Sequence, residues 1–80
     1  MNRQEVLDKV TDIFRDVFDD ESIVIGEATT AQDIEDWDSL THITLISEIE
    51  NEFGFKFAMK DVLGMKNVGE MLDIVEKELG

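Results

Sequence analysis

The chain of 80 residues contains no cysteine, no proline and a single histidine. Without cysteine, neither a disulfide nor a thiolate-bound metal can reinforce a small domain, so the packing of apolar surface must carry its stability. No proline, Gly/Ser-rich tract, repeat or low-complexity segment marks a boundary, and residues 1–80 are expected to form one domain with a thin core. The lone histidine leaves little for nucleophilic catalysis, because a serine needs a base to take its proton and that base needs an orienting group. No apolar run approaches the length of a membrane span, and the first residues lack the basic and apolar regions of a signal peptide. A soluble, cytoplasmic protein without membrane insertion is therefore expected.

Positive charge is also scarce. There are 20 acids against 7 Lys and Arg, a net of −13. The deficit is local: positions 16–55 hold 12 of the acids and none of the bases, whereas the other forty residues carry 8 acids and 7 bases. A field of that sign repels nucleic-acid phosphate and anionic lipid and steers basic protein surfaces towards the middle of the chain. The expected partner is a protein with a Lys/Arg patch. Acidity that merely keeps a small domain soluble is the plainer alternative, and the uneven distribution counts against it.

Apolar periodicity divides the chain into helices and one long loop, with no strand-type alternation over a useful length. From Glu5 to Phe18, Val6, Leu7, Val10, Ile13, Phe14, Val17 and Phe18 share a helical face, and Asn2 with Glu5 resembles a capping box. The pattern stops at Asp19-Asp20, and about 20 residues follow, a connection long enough to require packing or function. Ile23, Val24, Ile25, Ile34 and Trp37 are its expected anchors. A second helix should start at Asp38 or Ser39 and end at Phe53, with Gly54 suited to the left-handed position that closes a helix. Ile43, Leu45, Ile46, Ile49 and Phe53 gather on its inner side with His42 among them, whereas Leu40 points to the opposite side. Phe55 to Leu63 has room for only a turn or two. Asn67 and Glu70 then cap a last helix, Val68 to Leu79, which buries Val68, Met71, Leu72, Val75 and Leu79.

The residue set supports few chemistries. EF-hand spacing fails from Asp19 and from Asp33, because the loop position that requires glycine falls on Val24 or Asp38. There is no zinc spacing, no phosphate-cradling glycine loop and no dinucleotide fingerprint. His42 lies three residues from Ser39 but on the apolar face, where a core-edge role suits it better than a catalytic one. Neither an enzyme nor a metal site is expected. What remains is Asp38-Ser39-Leu40, a hydroxyl on the first turn of an amphipathic helix. Helix N-termini present unpaired N–H groups and a partial positive charge, which favour an anion attached there. Asp38 can cap that turn and offer a carboxylate to a metal ion brought by a modifying enzyme. On those residues alone, ordinary capping explains as much.

The longer string Asp36-Trp37-Asp38-Ser39-Leu40-Thr41-His42-Ile43, followed by Glu48-Ile49-Glu50-Asn51-Glu52-Phe53-Gly54, closely resembles the acyl carrier protein family. The likeness runs over essentially the whole chain. It implies an all-α four-helix bundle of three main helices plus a short third one, with the long loop between helices one and two. It further implies that Ser39 carries 4′-phosphopantetheine, transferred from coenzyme A by a phosphopantetheinyl transferase, and that the arm's thiol holds acyl groups as thioesters. The protein itself would catalyse nothing. Asp38, Leu40, Glu48 and Glu50 match positions used against basic partner surfaces, those of a loading ligase or transferase and of a ketosynthase or other acyl-using enzyme. Ile46, Ile49, Met59, Val62 and Met65 match an acyl-chain pocket between helices two and three. Carriers of fatty-acid synthesis usually have acids where this chain has Thr41 and Thr44, a departure that leaves room for polyketide, lipid-modification, cell-surface or aminoacyl pathways. A monomer is expected. An unmodified acidic interaction module is the alternative from another class.

Self-repulsion among 13 excess negative charges opposes compaction. Salt and divalent cations are therefore expected to raise the melting temperature. Thermal circular dichroism across a salt series checks this, and a midpoint insensitive to both would refute it.

Overall fold

The structure, a computed structural model, describes residues 2–79. Four helices follow one another: α1 (Arg3–Phe18), α2 (Ser39–Phe53), α3 (Met59–Gly64) and α4 (Val68–Leu79). There is no strand among the described residues, and α1 packs against both α2 and α4. The expected four-helix arrangement is thus present. Most boundaries follow from capping chemistry. The Asn2 side chain accepts from the Glu5 N–H at 2.8 Å, so α1 starts at Arg3, ahead of its first apolar residue. At the other end Asp19 takes the left-handed conformation (φ 51°), which its short polar side chain tolerates. Gly54 does the same for α2 at φ 77°. Gly64 is the last residue of α3.

Among the described residues the core holds 14 apolar side chains and no polar one, drawn from all four helices and from the loop. Phe14, Leu45, Ile49, Met71 and Leu72 are its largest fully buried members. The loop contributes Ile25 and Trp37, with Ile23 and Ile34 half-buried against them. A radius of gyration of 11.4 Å compares with about 11.6 Å for an ordinary folded domain of this length, so the loop lies on the bundle.

Three apolar residues expected inside are exposed. Val24 (81 %) sits between Ile23 and buried Ile25, where extended backbone turns successive side chains to opposite sides. Ile43 (55 %) lies about a third of a turn from the centre of the stripe formed by Leu45, Ile46 and Ile49. Leu79 is one turn beyond Val75, the last buried residue of α4.

The loop is held by backbone as well as by side chains. The first N–H groups of a helix have no partner within it. In α4 the loop supplies two of them: Val68 N–H donates to the Thr29 carbonyl and Gly69 N–H to the Glu27 carbonyl, both at 2.8 Å. Asn67 Oδ1 accepts the third, from Glu70 N–H at 2.9 Å. Arg3 locks the junction, bonding both carboxylate oxygens of Glu27, pairing with Asp73 at 2.9 Å and donating to the Gly69 carbonyl at 3.2 Å. Its bond to Glu27 pushes the guanidinium pKa still higher and holds the carboxyl of Glu27 below its ordinary value. At the loop's start Arg15 Nε donates to the Ile23 carbonyl at 2.8 Å.

Close approach at the junction requires glycine. A Cβ on Gly69 would lie 2.9 Å from the Glu27 carbonyl oxygen, whereas one on Gly64 would meet nothing within 4 Å. Gly69→Ala is expected to cost about 1–3 kcal/mol, the usual range for forced overpacking. Gly64→Ala should be neutral or stabilising, because alanine is the better helix former. Urea unfolding of the two variants checks the contrast, and equal midpoints would show that the junction yields.

Candidate functional site

The loop delivers Asp38 to the N-cap of α2 with extended backbone. Its Oδ1 accepts from the N–H groups of Leu40 at 3.0 Å and Thr41 at 2.9 Å, and the Thr41 hydroxyl reaches back to accept from the Asp38 N–H at 2.7 Å. These two residues form a capping box with threonine in the place usually taken by Glu or Gln. The backbone bond from Thr41 is the main reason that the Asp38 carboxyl is held below its ordinary pKa. Oδ2 enters none of these bonds, and neither does the hydroxyl of Ser39, the first residue of the helix. Ser39 is exposed, and Leu40 beside it is 81 % exposed.

Ser39 opens on a mainly apolar cleft of about 490 Å³ between the start of α2, α3 and the α3–α4 turn. Trp37 and His42 line its inner side. Trp37 packs edge-on against Phe14 of α1 and is stacked with His42. Its indole N–H donates to His42 Nδ1 at 3.1 Å, and His42 Nε2 lies 3.1 Å from the Val62 carbonyl. A donor on one nitrogen and an acceptor at the other fix the proton on Nε2, so the imidazole donates to the last turn of α3. Both nitrogens are engaged, and neither is free to take the proton of Ser39.

The expected pocket residues separate. Val62 and Met65 line the cleft, with Ile43 and Leu63 beside them. Ile46 and Ile49 are instead buried in the core, and Met59 is 68 % exposed. Ile43 and Leu63 were missed as cleft residues because periodicity assigned Ile43 to the core and the short α3 gives Leu63 no period to read. The expected recognition acids separate too. Glu48 is exposed on α2. Glu50 turns back into its own chain: Oε2 accepts the Phe57 N–H at 2.7 Å, Oε1 lies 3.9 Å from Lys56, and the side chain is 17 % exposed. It steadies the turn between α2 and α3, a role set by the chain reversal after Gly54. Among the described residues no cluster of His, Cys, Asp and Glu could hold a metal ion, and no helix is long and apolar enough to cross a membrane.

The model of the phosphopantetheine attachment site family matches residues 8–75. Sequences called acyl carrier protein agree with it. Those of Thermosynechococcus vestitus and Thermotoga maritima are 34 % and 35 % identical to this chain, each alignment covering 99 % of it and 98 % of the relative. The chain belongs to the acyl carrier protein family. A solution NMR structure of holo acyl carrier protein from Geobacter metallireducens is 49 % identical, covers 92 % of this chain and 85 % of that one, and superposes with a TM-score of 0.87. The cofactor of this acyl carrier protein is therefore covalent phosphopantetheine. The residues fit such a group: a serine hydroxyl outside the capping bonds faces solvent at the edge of an apolar cleft.

The lowered pKa of Asp38 gives a pH dependence of definite sign. A depressed carboxyl stabilises the fold above its unfolded value, ordinarily about 4, and that contribution is lost as pH falls through the lower folded value. Acid titration should therefore shift the Leu40 and Thr41 amide signals together, with a midpoint below that of a free aspartate. Asp38→Asn should abolish the titration while keeping a cap. NMR titration decides, and an ordinary midpoint would refute the assigned bonds.

Proposed function

We propose that Ser39 is the residue that carries 4′-phosphopantetheine, and that residues 1–80 act as one non-catalytic carrier domain presenting acyl groups to partner enzymes. One observation carries this reading: around the N-cap, Asp38, Leu40 and Thr41 are all committed to capping bonds, and the exposed Ser39 hydroxyl is not. Modification there costs the helix no cap.

In the attachment reaction Ser39 Oγ attacks the phosphorus of coenzyme A that bears the pantetheine. The Oγ–P bond forms, the pyrophosphate P–O bond breaks, adenosine 3′,5′-bisphosphate leaves, and the hydroxyl proton passes to a base of the phosphopantetheinyl transferase. Asp38 contributes through Oδ2, free to meet a metal ion that the transferase brings with its substrate. His42 takes no part in proton transfer, since Trp37 and Val62 occupy both its nitrogens. The arm supplies a thiol for thioester formation, which a chain without cysteine does not. The chain's own work is to hold the attachment point rigidly at the mouth of the cleft and to present it beside exposed Leu40 and the carboxylates of Asp38 and Glu48. A basic surface on a loading ligase or transferase, or on a ketosynthase, complements that face. Glu50 supports it indirectly, by holding the α2–α3 turn. Val62 and Met65 lie where the arm or its acyl chain would enter, and buried Ile46 and Ile49 would be reached only if the core parted. Thr41 serves the cap rather than a partner, so the start of α2 has no acid beyond Asp38. That feature departs from the usual fatty-acid carrier and leaves room for polyketide, aminoacyl and cell-surface partners; the carrier is read as a cytoplasmic monomer.

Intact mass before and after incubation with coenzyme A, magnesium and a broad-specificity phosphopantetheinyl transferase tests the reading. One phosphopantetheinyl increment is expected for the wild type and none for Ser39→Ala, whose stability should change by no more than about 0.5 kcal/mol, as usual for a surface substitution. A folded wild-type chain that gains no mass would overturn the proposal in favour of an unmodified acidic binding module.

A further inference from the structure

The side chain of Lys66 is left without a role by capping, packing and the proposed attachment, although its backbone N–H donates to Glu70 Oε1 at 3.4 Å. It lies in the turn between α3 and α4, is exposed, and lines the same cleft as Ser39. Among the described residues the cleft is bordered by one cation, Lys66, and one carboxylate, Asp38, whose Oδ1 is engaged by backbone N–H groups. Four other cations of the chain are already committed, and Lys60 and Lys77 do not line the cleft. Arg3 is paired with Glu27, Asp73 and Glu76, Lys9 with Glu52, Lys56 with Glu50, and Arg15 with the Ile23 carbonyl. The first turn of α2 carries no acid after Asp38, so at the cleft an added anion meets that one carboxylate and the ammonium of Lys66.

We infer that Lys66 is a positioning residue for the prosthetic arm: its ammonium receives the phosphodiester attached at Ser39 and draws the arm into the cleft along Ile43, Val62 and Leu63. The inference rests on the assignment of Ser39 as the attachment point. The chemistry suits the side chain. A phosphodiester carries one negative charge and brings it to a domain whose net charge is already −13. Lysine is a compact charge on a flexible four-carbon stem, able to follow an anion as a point charge. The cleft's volume of about 490 Å³ falls within the range of about 300–1,000 Å³ usual for small-molecule sites. With the phosphodiester held, the arm rests against the apolar wall instead of sampling solvent, and a partner must draw it away from Lys66 to reach the thiol.

The test uses the holo forms of the wild type, Lys66→Gln, Lys66→Arg and Lys60→Gln, each first verified by intact mass. Lys60 is an exposed α3 cation that does not line the cleft, and it serves as the control. Two signals are read: the amide shifts of Val62, Leu63 and Met65 between apo and holo protein, and the salt dependence of the phosphodiester's ³¹P resonance. Raising salt from about 0.1 M to about 1 M shortens the screening length from about 10 Å to about 3 Å and should release the contact. The wild type, Lys66→Arg and Lys60→Gln are expected to show the arm-dependent amide shifts and a salt-sensitive ³¹P signal. Lys66→Gln should lose both while keeping the fold. A Lys66→Gln protein that matches the wild type in both signals would overturn the inference. Failure of every form to gain the arm would instead overturn the Ser39 assignment, and this inference with it.

Discussion

Everything at the site depends on where the long loop is tied down, and it is tied to the first turn of α4. Carbonyls of Glu27 and Thr29 take the N–H groups of Gly69 and Val68, and the guanidinium of Arg3 binds Glu27, Gly69 and Asp73 at the same point. The loop and α4 are thus joined by backbone bonds, and α1 is tied to both through the side chain of Arg3. Two consequences follow. The N-terminus of α4 is satisfied without exposing donors, and the remainder of the loop, from Thr30 to Asp38, has fixed ends. Trp37 can then reach Phe14 and His42, and the direction in which α2 starts is set.

Helix α2 is the element that most needs this help. It has no base in its last turn, so its macrodipole is relieved by its own residues only at the N-terminus, by the Asp38 carboxylate. Glu50 and Glu52, near its negative end, are offset from outside by Lys56 and Lys9 at 3.9 Å and 3.4 Å. What holds the helix is the Asp38–Thr41 box, the Gly54 closure and the burial of Leu45, Ile46 and Ile49 against α1. Such an arrangement leaves the outer surface of α2 free to carry charge and exposed leucine for other purposes. Stability comes from the inner face and the caps, and the outer face is left exposed to solvent.

The sequence made the helices legible because their signals are local. Asn2, Asp38, Gly54 and Asn67 act within one turn of themselves, and each ended or began a helix at the expected place or within two residues of it. Ser39 was legible for the same reason, as a hydroxyl one residue past a cap. The cleft was not, since its walls are made by tertiary geometry. Ile43 sits at the flank of a stripe that periodicity cannot divide into buried and bordering positions, and Leu63 faces outward from a helix too short to show a period. Glu50 read as a surface acid because the N–H it satisfies belongs to Phe57, beyond a chain reversal. Val24 failed for a simpler reason: in extended backbone the neighbours of buried Ile25 must point away from it.

Histidine 42 joins these levels. Its ring accepts from the loop through Trp37 and donates to α3 through the Val62 carbonyl, so one neutral side chain links the long loop to the short helix across the inner side of the cleft. Helix α3 has six residues and no side-chain cap, too little to hold its own position. The position of the cleft's far wall therefore depends on the burial of Val62 and on this bond, while the near wall is fixed by the capping box of α2. A cleft with one rigid wall and one lightly held wall can widen without unfolding the bundle. The serine is thereby fixed on the rigid side, at the edge of a space whose other wall is free to adjust.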